Sequence, residues 1–142
     1  MPKLASELNL KNIWSHFKDF QHVCLATVDD DQPRVRPVTL VHFAGKFWIT
    51  TDTESAKINQ IRLNPRVEFC LQFKEDDMDC CIRVGGLAKI IKDKATRAKI
   101  AKHCAFFSEH WKSVDDPNYT LLEICPTQVG YVSPEKTLCV KM

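Results

Sequence analysis

Residues 22–51, HVCLATVDDDQPRVRPVTLVHFAGKFWITT, decide the fold. His22 to Val28 is short and rich in β-branched residues, Asp29-Asp30-Asp31-Gln32-Pro33 follows as a polar turn, and Arg34 to Phe43 resumes an extended pattern. Ala44-Gly45-Lys46 then makes a second tight turn into Phe47 to Thr51, a run of aromatic and β-branched residues. Three antiparallel strands in succession are the expectation.

Upstream, Leu10, Ile13, Trp14 and Phe17 fall at i, i+3, i+4 and i+7, which predicts a helix capped by Asn9 and ending near Phe20, with Leu8 and Ile13 closing a hydrophobic staple. Downstream, Ser55 to Leu63 reads as a short helix stopped by Asn64-Pro65. A fourth strand, Arg66 to Phe73, leads through Glu75-Asp76-Asp77 into a fifth, Cys80 to Ile91, where Gly85-Gly86 suggests a bulge. Asp93 can cap a helix through His103, a second helical stretch follows around Phe106 to Trp111, and Tyr119 to Ile124 with Val129 to Val132 supply the last strands. No linker or repeat interrupts the series, so residues 1–142 read as a single domain. It is mainly β with flanking helices: six or more antiparallel strands closing a small barrel.

Composition narrows the function. The chain has 142 residues, and 20 Lys+Arg against 18 Asp+Glu leave a net charge of +2, too small a basic excess for a dedicated polyanion binder. The basic residues between Lys89 and Lys102 spread around a helix without aromatics between them, so no nucleic-acid partner is expected. No apolar run approaches the roughly 20 residues that cross a bilayer, and Lys3, Glu7 and Lys11 break up the N-terminal apolar residues, so the expectation is a cytoplasmic protein without a membrane partner. Seven cysteines without CxxC spacing, with Cys24, Cys70, Cys125 and Cys139 inside apolar stretches, read as reduced, buried thiols, and no metal site is expected. Nor does any Ser, Cys, His or Asp spacing single out a nucleophile with its base, so the catalytic residues stay unassigned.

Two local features could carry chemistry. In Thr50-Thr51-Asp52-Thr53-Glu54-Ser55-Ala56-Lys57 a strand end turns directly into a helix N-terminus, where free amide N–H groups and the dipole welcome an anion. Lys57 opposes that dipole by about 0.3–1 kcal/mol, a misfit that a bound phosphate would reverse. An ordinary Ser cap beside a solvated lysine is the commoner reading of such a stretch, with the phosphate site as its alternative. In Arg34-Val35-Arg36-Pro37-Val38-Thr39 alternation puts both arginines on one face, and Pro37 withholds a donor in mid-strand, implying an edge, a bulge or an open ladder. Arg34, next to the turn, reads as solvated.

The order and spacing of Arg36-Pro37-Val38, Thr50-Thr51, Ser55-Ala56-Lys57, Asn64-Pro65-Arg66-Val67, Gly85-Gly86-Leu87-Ala88, Phe107 to Trp111 and Leu121-Leu122-Glu123-Ile124 resemble the pyridoxamine 5'-phosphate oxidase-like FMN-binding split barrels, in particular the short general-stress-protein type. The resemblance implies a homodimer with FMN in a groove between subunits. It implies that Arg36, Ser55 and Lys57 hold the phosphate and that Pro37, Val38, Thr39, Thr50 and Thr51 run along the isoalloxazine and ribityl. It also brings Trp111 to the flavin from the second subunit, whereas the residues alone read Trp111 equally well as core.

The departures shape the functional expectation. Ala56 stands where true pyridoxamine phosphate oxidases carry Arg, and Cys80-Cys81 where they carry a flavin-binding Gln. The Tyr, Arg and Ser that clamp the substrate phosphate have no counterpart between Lys94 and Trp111, nor does the Arg- and His-bearing C-terminal segment. The expectation is therefore a small FMN-dependent oxidoreductase acting on a small-molecule redox substrate other than a B6 vitamer. Alternatives are a flavin-binding module without turnover, or a split barrel using a deazaflavin or haem, with His22 or His42 as conceivable haem ligands.

Overall fold

The computed structural model describes residues 9–142; Leu8 of the expected staple, together with Lys3 and Glu7, lies outside the described residues. Helix α1 (Leu10–Trp14) opens on Asn9, whose Oδ1 accepts from the Lys11 and Asn12 amides at 3.0 and 3.4 Å. It stops well short of Phe20. The Ser15 hydroxyl and His16 Nδ1 both donate to the Asn12 carbonyl, at 2.5 and 3.0 Å, while the His16 amide turns to Ile13. Side chains thus take the acceptor that the next helical turn requires.

The strands are β1 (Phe20–Asp29), β2 (Gln32–Phe43), β3 (Lys46–Asp52), β4 (Arg66–Glu75), β5 (Met78–Ile91), β6 (Tyr119–Val132) and β7 (Thr137–Lys141), all antiparallel in one sheet of order β3-β2-β1-β4-β5-β6-β7. An additional β3–β6 pairing closes the first six strands into a barrel. Two hairpin turns, Ala44-Gly45 and Asp76-Asp77, hold both central residues at positive φ, the geometry whose twist matches that of paired strands. Most strands run one to three residues beyond the lengths read from sequence. Two departures are larger. β6 is one continuous strand, and β7 pairs Gln128 to Val132 after a turn in which the Ser133 amide bonds the Lys136 carbonyl at 2.9 Å. Pro126 sits inside β6 because the β5–β6 register shifts there: Gly86 faces Pro126 while Gly85 faces Gln128, leaving Thr127 as the extra residue.

Helix α2 (Ala56–Leu63) buries Ile58 and Ile61 against the barrel interior, which also holds Phe17, Leu25, Phe47, Ile49, Phe69 and Ile82. Helix α3 (Lys94–His103), capped by Asp93 through the Thr96 amide at 3.0 Å, builds a second core on the outside with Val41, Trp48, Phe107, Trp111, Tyr119 and Leu121. The second helical stretch expected around Phe106 to Trp111 is a single 3₁₀ turn, Phe107–Glu109, followed by one bond from the Trp111 amide to the Phe107 carbonyl at 3.0 Å. One turn suffices, since it already buries both Phe107 and Trp111. Of the four cysteines expected to be buried, Cys24 is exposed and Cys70, Cys125 and Cys139 are half-buried. No described helix is long and apolar enough to cross a membrane.

The bulge sets a stability test. A Cβ on Gly86 would run into the Cys125 carbonyl and approach Pro126 Cα to 3.1 Å, whereas one on Gly130 would meet nothing nearer than 3.7 Å. Gly86→Ala should cost about 1–3 kcal/mol in urea unfolding, and Gly130→Ala less than about 0.5 kcal/mol.

Candidate functional site

β2 pairs with β3 over only three residues, Val41 to Phe43 against Trp48 to Lys46, while on its other edge β3 pairs with β6 from Phe47 to Asp52. Beyond that point the facing edges of β2 and β3 part. Pro37 lies on the free edge of β2, and its pairing with Cys24 of β1 continues without a bulge. Of the three alternatives that Pro37 left open, the bulge is excluded, and the open β2–β3 ladder leaves Pro37 on an edge.

A cavity of about 940 Å³ opens at this split. Pro37, Val38 and Thr39 form one wall, Ile49, Thr50, Thr51 and Asp52 the other, with Lys57 at the α2 end and Phe106, Glu109, His110 and Trp111 over the top. Seven of the nine site residues expected from sequence therefore share one cavity. Arg36 and Ser55 lie behind it. Ser55 occupies the N-cap of α2, but its hydroxyl does not cap; it accepts from Lys57 Nζ at 3.2 Å and sits 3.4 Å from the Thr51 hydroxyl. Lys57 Nζ also donates to Thr51 Oγ1 at 2.6 Å. Arg36 donates to the Leu25 carbonyl at 3.2 Å and to Gln60 Oε1 at 2.9 Å, and Thr27 holds that same Gln60 oxygen at 2.5 Å.

The electrostatics are one-sided. Burial and then the Arg36 charge lower the pKa of the Lys57 ammonium, with Asp52 offsetting only part, and burial lowers Arg36 as well. Among the described residues neither cation forms an ion pair with a carboxylate. Arg34, by contrast, is exposed and pairs with Asp29 at 3.4 Å, as its solvated reading required. Two cations, the hydroxyls of Ser55 and Thr51 and a helix N-terminus form a donor set suited to a phosphate group.

Trp111 is core within the single chain: it is 6% exposed, packs on Phe107 and Tyr119, and its Nε1–H is shared between Asp52 Oδ1 at 3.0 Å and the Asn118 carbonyl at 3.1 Å. Its place on the cavity wall comes from that anchoring. His22 lines the cavity, but His42 does not; it stacks on Phe47 at 4.8 Å and borders a separate cavity near Trp14. Sequence reasoning missed Gln60, Phe106, Glu109 and His110. The i, i+3, i+4 spacing of the last three marks one face of a turn, whereas nothing local announces Gln60 as the seat of Arg36. Among the described residues no group of His, Cys, Asp or Glu is arranged to hold a metal.

The family model described as pyridoxamine 5'-phosphate oxidase matches residues 11–133. The chain belongs to that family. No curated protein matches it. Among solved structures it is similar to general stress protein 26 from Bacillus anthracis, with 26% identity over 95% of this chain and 100% of that one and a TM-score of 0.76. It is similar in fold to a FAD-binding protein from Mesorhizobium loti, with 18% identity, 94% and 96% coverage and a TM-score of 0.72. A heme binding protein from Mycobacterium smegmatis shares the fold at 14% identity, with 87% of this chain covering 53% of that one and a TM-score of 0.71.

The charge pairing predicts its own titration. Removing the guanidinium in Arg36→Met should raise the Lys57 pKa back toward 10.5, and Asp52→Asn should lower it further, since each change deletes one named influence. Lysine side-chain NMR titration of the ligand-free protein reads both, and an unmoved Lys57 in Arg36→Met would show that the two charges do not interact.

Proposed function

We propose that this family member is a cytoplasmic FMN-binding flavoprotein, working as a small oxidoreductase but not as a pyridoxamine phosphate oxidase. The observation that carries the reading is the pair Arg36 and Lys57, held without a carboxylate partner beside the cavity that the β2–β3 split opens. A fit between residues and cofactor supports it. Lys57, Thr51 and Ser55 would hold the phosphate, with Arg36 behind them adding its charge; Val38, Ile49 and Phe106 offer apolar wall to a planar ring, and the free edges of β2 and β3 offer backbone donors and acceptors to its polar rim. When bound, FMN would supply hydride or electron transfer, and the chain's residues would supply position, hydrogen bonds and exclusion of water. The FAD-binding relative of the same fold favours a flavin.

Haem is the second reading, favoured by His22 on the cavity wall and by the heme-binding relative of the same fold. Its iron would need a ligand, which His22 or His110 on the cavity wall could supply, whereas a flavin would not. The visible spectrum of the purified protein separates the two, and Lys57→Ala against His22→Ala shows which residue the chromophore depends on.

FMN should bind at least tenfold tighter than riboflavin, because charge-assisted bonds to phosphate are each worth about 1.5–3 kcal/mol. Lys57→Ala and Arg36→Ala should weaken FMN without unfolding the protein. Equal affinities for the two flavins in a fluorescence titration would sink the phosphate assignment. Reduction of bound FMN by NAD(P)H or another donor would separate an enzyme from a flavin-holding module. Pyridoxamine 5'-phosphate should not be turned over, for want of the clamp that positions it.

A homodimer completes the proposal. The cavity is open to solvent, and β2 keeps an unpaired edge with Val35 69% exposed, so a second copy would cover both. Light scattering at low micromolar concentration should give twice the 16.3 kDa chain mass. A monomer that still holds FMN would refute the shared groove.

A further inference from the structure

Helix α2 serves both cations of the site from one face. Lys57 reaches the cavity directly, and Gln60, one turn further along, carries Arg36: its Oε1 accepts from Arg36 Nη2 at 2.9 Å and from the Thr27 hydroxyl at 2.5 Å. Thr27 is 1% exposed, so that hydroxyl is a donor fixed inside the protein. Because a guanidinium and a hydroxyl both donate to one atom, the amide is held with its oxygen toward Arg36. The Leu25 carbonyl takes the other terminal nitrogen at 3.2 Å. Together the two acceptors use one N–H of each terminal nitrogen and leave the remaining donors of the guanidinium free.

Both acceptors are neutral, although burial disfavours the charge on Arg36. The ordinary remedy is a carboxylate, whose charge-assisted bond is about twice as strong as a neutral one. Asp29 and Asp30 line a separate cavity together with Gln60, yet neither pairs with Arg36, and Asp29 is taken by Arg34 at 3.4 Å. A glutamate in place of Gln60 would match its length, accept the same two hydrogen bonds and stand one turn from Lys57 as well. It would grip the guanidinium more firmly and cancel its charge. Gln60 grips the guanidinium and leaves the charge uncompensated.

We propose that Gln60 is a positioning residue that sets the preference of the site for a phosphate-bearing flavin over the same flavin without phosphate. It fixes Arg36 behind Lys57 and keeps both positive charges available to an anion. This role rests on the phosphate reading of the cavity and adds what keeps the site cationic. Gln60 is not on the wall of that cavity and acts through Arg36.

The test compares Gln60→Glu and Gln60→Met with wild type, as full chains, in fluorescence titrations with FMN and with riboflavin. Thermal melting and lysine NMR titration without flavin accompany them. A glutamate keeps the shape and the acceptors, so a merely structural role would survive it. The expected result is that Gln60→Glu melts no lower than wild type, binds riboflavin as wild type does, and loses roughly tenfold of the preference for FMN. Gln60→Met keeps the length without the acceptor, and should lose roughly threefold of that preference because Arg36 stays charged but is no longer seated. In the ligand-free protein Gln60→Glu should move the Lys57 pKa up toward 10.5, since the new carboxylate offsets the Arg36 charge that lowers it. A wild type that binds both flavins equally would overturn the phosphate reading and this role with it. A wild type that prefers FMN, with Gln60→Glu preferring it as strongly, would leave the phosphate reading standing and overturn Gln60 alone. Equal losses of FMN and riboflavin in Gln60→Glu, an unmoved Lys57 in that variant, or full FMN preference in Gln60→Met would do the same.

Discussion

Everything at the cavity depends on how soon β2 and β3 part. The Ala44-Gly45 turn holds them together for three residue pairs, and the Trp48 Nε1–H bond to the Phe43 carbonyl at 3.0 Å pins the last of these. On its other edge β3 pairs with β6 for six residues, Phe47 and Trp48 belonging to both ladders, so β3 stays with β6 past the point where it leaves β2. The barrel is therefore closed at β6 and split at β2. The cost is low where Pro37 stands, since proline has no N–H to leave unpaired, and the remaining edge groups face a cavity large enough for water or a ligand.

What keeps the split in place is the second core. Phe47, Trp48 and Ile49 are consecutive and all buried, which a strand solvated on one face cannot achieve. Phe47 and Ile49 point into the barrel while Trp48 packs outward with Val41 under α3. The same layer carries the 3₁₀ turn over the cavity, and Trp111 ties it to the end of β3 through Asp52. Packing on the outside of the barrel thus positions Phe106, Glu109 and His110 above a cavity whose floor is made by strands.

The strand series was legible because its signals are local: β-branched runs, polar turns and a glycine pair that marks the bulge. The short α1 was not, since its end depends on the Ser15 and His16 side chains taking the Asn12 carbonyl, a competition that periodicity does not register. β7 escaped because Leu138, Cys139 and Val140 are too few to stand as a strand until the second half of β6 offers them an edge. At the site, Lys57 and the residues of β2 and β3 could be read from a strand end meeting a helix start. Arg36 could be named, but its support could not, because Gln60 reaches it across 24 positions of chain and also bonds Thr27, 33 positions away.

The local electrostatics explain why Lys57 can sit in the first turn of α2. A cation there works against the helix dipole, loses hydration through half-burial, and faces the Arg36 charge. Its compensation is two hydroxyl acceptors and a distant share of Asp52, whose carboxylate is itself committed to the Trp111 indole. An apolar or neutral residue would relieve all three costs, so the position is costly for folding taken alone. An anion at the same place reverses each of them together: it satisfies the helix N-terminus, restores the value of Lys57's charge, and screens it from Arg36. The arrangement is thus poorly suited to an empty surface and well suited to a negatively charged ligand group, because an anion there attracts both cations and offsets the repulsion between them.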